Sequence, residues 1–155
     1  SCVISLYPTE EQVNALKAGN SNDKVVMLNL LLFKNQASYA EYGKRVEAIL
    51  PDYDGQILFR GAVRSVFIGE NVPKFEAVLL VEYANHTKFL EMTSSDAYLS
   101  FHHFREEGLK ANGSYPSPLS NHTTLHRYKL IDIMKKIEIY TTNTCPFCFA
   151  AKDLL

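Results

Sequence analysis

The hydrophobic positions divide the chain into segments of two periods. Residues 8–18 read as a short helix: Thr9 precedes the acidic pair Glu10 and Glu11, and Gly19-Asn20 stops it. Val25 to Phe33 is apolar on both parities except at Asn29, the pattern of a strand covered on both faces. Ser38 to Leu50 places Tyr39, Tyr42, Val46, Ile49 and Leu50 at spacings of three and four, an amphipathic helix. Ser38 is its expected cap, with Glu41 completing a capping box, and Pro51 and Gly55 end it. Gln56 to Gly69 reads as a long strand with a bulge or bend at Gly61. Asn71-Val72-Pro73 is a turn, and Lys74 to Ala84 a second strand, so the two predict a hairpin.

Asn85 to Gly108 has a helical pattern broken near Ser94-Ser95-Asp96, a sequence that caps a new helix from Ala97. Gly113 to Ser120, with Pro116 and Pro118, is a loop, and the loose alternation of Thr123 to Ile133 predicts a last strand. The order after the first helix is βαββαβ. That is an α+β chain of ferredoxin-like arrangement, with two helices on one face of an antiparallel sheet. The apolar character on both parities requires the second face to be covered as well. The simplest cover is another copy of the chain.

Composition fits a folded globular domain: of 155 residues, 46% are hydrophobic and 21% charged. The net charge of −1 excludes a general nucleic-acid binder. A membrane helix takes about 20 apolar residues, far more than the stretch Val25 to Phe33 supplies, so no membrane span is expected. No charged n-region followed by an apolar h-region opens the chain, which points to a cytoplasmic location. Three cysteines, Cys2, Cys145 and Cys148, cannot form a closed disulfide framework.

Candidate chemistry rests on few residues. Asn29 is a polar amide inside an apolar strand. It is either a hydrogen-bonded lining residue or a pocket ligand, and by parity it shares a face with Val25, Met27, Leu31 and Phe33. His102 and Arg105, three apart, are neighbours on one helix face. A histidine beside a fixed cation is kept neutral more readily, and an arginine holds a carboxylate bidentately. The alternative is a surface pair beside Glu106 and Glu107. Arg60 and Arg64 share a parity and either flank the same cavity or lie on a solvated edge. His122 and His126 on a strand would stand about 13 Å apart, too far to share an ion, so no metal site is expected. No phosphate-binding glycine loop or nucleophile elbow is present, so no cofactor is called for.

Several segments together resemble the domain of unknown function 1330 family over roughly residues 8–110. They are Val25-Val26-Met27-Leu28-Asn29-Leu30-Leu31-Leu32-Phe33; Gly61 through Ile68-Gly69; and Phe89-Leu90-Glu91-Met92 with Ser95, Tyr98, His102, Arg105 and Gly108-Leu109. The resemblance implies a homodimeric α/β barrel whose protomer sheets face each other. It assigns no activity, and a fold alone gives none.

Residues 134–155 differ in kind. Ile137 and Ile139 belong to a strand, Thr144-Cys145-Pro146-Phe147-Cys148 follows, and Phe149 to Leu155 has a helical pattern. This segment resembles the opening of a glutaredoxin. The resemblance implies Cys145 as the attacking thiolate and Cys148 as the resolving thiol. The later parts of that fold do not follow in this sequence. The expected division is therefore 1–133, a ferredoxin-like barrel domain with a short N-terminal helix, and 134–155, an incomplete appended segment. Three readings of this segment stay open: a truncated fusion domain, an accident of the gene boundary, or a strand that pairs with an exposed sheet edge of the body.

Three functions remain open on these grounds. The first is a homodimeric barrel binding a small carboxylate- or carbonyl-containing molecule through Asn29, His102 and Arg105, with catalysis undecided. The second is a thiol–disulfide protein using Cys145 and Cys148. The third is a dimerisation module without a ligand.

Overall fold

A computed structural model describes residues 2–3, 5–70, 73–110, 114–115 and 137–141. The elements are β1 (Cys2–Val3), α1 (Glu10–Lys17), β2 (Lys24–Leu31), α2 (Gln36–Ile49), a 3₁₀ turn (Leu50–Tyr53), β3 (Gly55–Ala62), β4 (Ala77–Tyr83), α3 (His86–Ser94), α4 (Asp96–Phe101), α5 (His103–Gly108), β5 (Ser114–Tyr115) and β6 (Ile137–Thr141). The fold is α+β, as the periodicity predicts. β4 lies between β2 and β3 and is antiparallel to both, so β2-α2-β3 is a split crossover with one strand inserted.

The sheet order is β3-β4-β2-β6. β6 comes from the segment expected to be an appendage, and it runs parallel to β2 from Lys24↔Ile137 to Leu28↔Thr141. The strand expected over Thr123 to Ile133 lies outside the described residues, as do Cys145, Cys148, His122 and His126. A separate two-stranded ladder pairs β1 with β5.

Local chemistry explains most element ends. Thr9 caps α1 in a reciprocal box: its hydroxyl accepts from the Gln12 amide, and the Gln12 side chain accepts from the Thr9 amide. α2 starts earlier than expected. Asn35, not Ser38, is its cap, and Asn35 Oδ1 accepts from the Ser38 amide. Asparagine is at least as good a cap as serine, and it stands one turn nearer the end of β2. Ser95 both ends α3 and caps α4, accepting from the Tyr98 amide.

β3 is shorter than the expected strand to Gly69, because its ladder with β4 ends at Ala62↔Ala77. The bulge falls at Leu58, between the pairs Ile57↔Val81 and Phe59↔Leu80, and not at Gly61. It switches parity, so Ile57 and Arg60 both turn to the helix side. Arg64 lies beyond the strand end and is exposed.

Two apolar layers flank the sheet. On the helix side Val25, Met27, Val81 and Tyr83 pack with Leu16, Leu50 and Met92. On the other side Val26 and Leu28 are buried and contact the half-buried Leu30, Val78 and Leu80. There the buried Glu82 carboxylate accepts from Lys24 Nζ at 2.9 Å and from Gln56 Nε2 at 3.0 Å. Among the described residues, no helix is long and apolar enough to cross a membrane.

Candidate functional site

The side-chain parity of β2 and β4 sends Met27, Leu79 and Val81 toward the helices, where they form the floor of a cavity of about 1020 Å³. Tyr39, Tyr42, Gly43 and Glu47 of α2 supply one wall. Tyr98, His102 and Arg105 of the α4–α5 region supply another, and Leu6, Tyr7 and α1 close the remaining side. Asn29 opens onto the same cavity. The structure thus brings Asn29, His102 and Arg105 to one space.

α5 can approach α2 this closely because its last residue is glycine. A Cβ on Gly108 would lie 2.7 Å from the Tyr39 backbone nitrogen. The Gly108 carbonyl also accepts from the Lys34 and Asn35 amides, which ties the end of α5 to the start of α2. Tyr39 is thereby fixed at the head of an aromatic chain: Phe33–Tyr39 at 5.4 Å between centroids, Tyr39–Tyr42 at 5.5 Å, Tyr42–Tyr98 at 6.0 Å and Tyr98–Phe101 at 5.5 Å. The Tyr42 and Tyr98 hydroxyls share one hydrogen bond of 2.8 Å.

The Tyr39 and Tyr42 phenols stay neutral. Burial pushes the Tyr39 hydroxyl up to about 12, against a smaller downward pull from the Arg105 charge. Burial also holds Tyr42 well above its ordinary value, with Tyr98 adding to the rise and Arg105 opposing it. Tyr83, beneath them, is raised by burial too. At neutral pH they offer hydrogen-bond donors and no base.

At the α5 end, Arg105 Nη1 donates to the Leu6 carbonyl at 2.5 Å. The Tyr7 hydroxyl donates to the Glu106 carboxylate. His102 Nε2 lies 3.0 Å from the same carboxylate, and its Nδ1 lies 2.9 Å from the Leu99 carbonyl. Glu106 is therefore engaged by Tyr7 and His102. Among the described residues, no carboxylate forms an ion pair with Arg105. His102 and Arg105 both line the cavity, and the ion-pair partner of His102 is Glu106, four residues on along the same helix face. At the other end Arg60 Nη2 lies 3.0 Å from Glu47 Oε1. The Asn29 amide donates to the Met27 and Leu79 carbonyls, each at 3.3 Å.

The arrangement can hold an acceptor-rich group, by guanidinium and phenol donors, above an apolar floor. Among the described residues, no group of three or more His, Cys, Asp and Glu side chains is placed to hold a metal ion. The sequence pattern counts Tyr39 and Tyr42 only as apolar positions, holds Tyr98 only within the family resemblance, and does not mark Gly43. A signal was present: nine tyrosines and no tryptophan, several at the spacing of one helix face, each with a polar tip.

Solved structures similar to this chain include RPA0582, a protein of unknown function from Rhodopseudomonas palustris. It is 20% identical with a TM-score of 0.63, and the match covers 76% of this chain and 98% of that one. The methylated form of RPA0582 is 19% identical with a TM-score of 0.64, covering 77% of this chain and 99% of that one. At such identity the likeness shows a common fold. Comparison with curated proteins found no match. Nothing in these findings supports the glutaredoxin-like reading of residues 134–155. Residues 24–114, more than half of the chain, match the family described as a domain of unknown function (DUF1330), and the chain belongs to that family.

Proposed function

We propose that the protein is a homodimeric α/β-barrel binder of a small carboxylate- or carbonyl-containing molecule, held in the cavity with Arg105 as its anchor. The observation that carries this reading is Arg105 itself. It is a half-buried guanidinium on a cavity wall, and its recorded partner is a neutral backbone carbonyl, that of Leu6. A carboxylate is the better partner for that fork, so the ligand displaces the Leu6 carbonyl. The Tyr42–Tyr98 pair has one hydroxyl proton left to donate, and His102 and Asn29 fill out the wall. In this reading residues 1–133 make up the barrel domain and 134–155 an appended segment. The second copy sits on the sheet face opposite the helices, over Leu30, Val78, Leu80 and the exposed Phe59.

Thermal unfolding with benzoate and butyrate, in the parent and in Arg105→Met, tests the site. Saturating ligand at a hundred times its Kd stabilises the native state by about 2.7 kcal/mol, and Arg105→Met abolishes that shift. No shift with either acid, or equal shifts in both proteins, overturns the reading. Light scattering checks the dimer separately: the expected mass is twice 17.6 kDa, and Leu80→Asp halves it.

A further inference from the structure

The lining of the cavity restricts the ligand further than "a carboxylate". α2 runs the length of the cavity from Tyr39, against which α5 packs, to Glu47, which holds Arg60. Those eight steps span about 12 Å of helix axis. Midway stands Gly43, where an added Cβ would meet nothing within 4 Å. Glycine is a poor residue for a helix interior. Here it leaves the space between α2 and the sheet unfilled.

Charge is distributed unequally along this length. Arg60 at the far end is matched by Glu47, and Glu106 is taken by Tyr7 and His102. Lys17 and Lys44 at the rim are exposed to water, which screens them. That leaves Arg105 as the one half-buried cation on the wall without a carboxylate among the described residues. Between the ends the floor is Met27, Leu79 and Val81, and the Asn29 amide protons are spent on backbone carbonyls. A second charge or a row of hydroxyls lying on that floor would lose water and gain no partner.

We propose, building on the carboxylate-binding reading above, that the ligand class is an amphipathic monoanion: one carboxylate at Arg105 and an extended apolar body running under Gly43 toward the Arg60–Glu47 pair. Polyols, sugar acids and dicarboxylates are excluded by the floor. The neutral, raised phenols of Tyr39 and Tyr42 are compatible with an anion beside them, since they bring no negative charge of their own.

Calorimetric titration of the full chain with butyrate, hexanoate, octanoate, octanol and suberate tests this. Affinity should rise about fourfold per added methylene from butyrate to octanoate, the transfer free energy of a buried methylene. Octanol, which lacks the charge, and suberate, which carries a second one, should each bind at least about tenfold more weakly than octanoate. Gly43→Leu, which fills the space under α2, should remove the gain with chain length and leave butyrate binding in place. Its fold is checked by circular dichroism. Butyrate and octanoate binding equally, or suberate matching octanoate, overturns the monoanion proposal and leaves the carboxylate site standing. No acid binding at all overturns both.

Discussion

α2 meets its surroundings in two opposite ways. Along the seam with α5 the two backbones approach so closely that Gly108 has no room for a methyl group beside Tyr39. One turn further along the same helix, Gly43 faces open space over the sheet. Loose packing throughout would leave room at both glycines, and it does not. The contrast shows that the cavity is bounded by a tight structure, with its end wall fixed by the seam. Tyr39 belongs to both regions: its backbone is pinned in the seam and its ring begins the aromatic wall.

The largest expected effect is on alkaline stability, and it tests how dry the wall is. An unfolded tyrosine ionises near 10, while Tyr39 is held neutral to about 12 and burial raises Tyr42 well above its ordinary value. The neutral form is favoured by folding, so this contribution is complete below pH 10 and is lost as pH rises toward 12. At about 1.4 kcal/mol per unit, Tyr39 alone costs roughly 3 kcal/mol by pH 12. Urea unfolding at intervals from pH 9 to pH 11.5, with ultraviolet titration of the phenolates, checks it. A full complement of tyrosines titrating near 10 would mean that water reaches the wall and that seam and cavity are not distinct there.

Next in size is Gly108→Ala. The added carbon must push backbone atoms of α2, and such overpacking costs about 1–3 kcal/mol. A lowered denaturation midpoint with an unchanged slope is expected. An unaltered midpoint would show that the seam can open. The smallest effect has the opposite sign. Gly43→Ala should stabilise by about 0.5–1 kcal/mol, the ordinary preference for alanine in a helix interior, because the methyl group meets nothing. A loss of stability there would mean that the space beside α2 is not as open as the geometry states.

Much of this fold is legible in the sequence, because its signals are local. Thr9 with Gln12 and Ser95 with Tyr98 mark helix starts by capping chemistry that reaches only three residues. What failed was decided at a distance. Asn35 and Ser38 both suit a cap for α2, and the structure uses Asn35, the one nearer the end of β2. The length of β3 depends on where β4 stops pairing with it, and the bulge at Leu58 carries no residue mark of its own. Asn29, His102 and Arg105 stand out in the sequence because each is polar on an apolar element, and the structure brings them to one cavity. The sequence places both Arg105 and Glu106 within reach of His102, and spacing alone does not choose between them. The tyrosines were hidden by their own duality, hydrophobic in pattern and polar only at the tip.

The irregularity in β3 bears on how copies of the chain can meet. β6 covers the flank of β2, which among the described residues leaves β3 on the outside of the sheet with one row of backbone groups unpaired within it. Such a row is a template for uncontrolled strand addition, the first step toward fibrous aggregates. The extra residue at Leu58 breaks the spacing of that row, so an incoming strand finds no continuous ladder to join. The rim of the sheet is thereby a poor site for strand addition. A kink of one residue thus works against an assembly that grows without end.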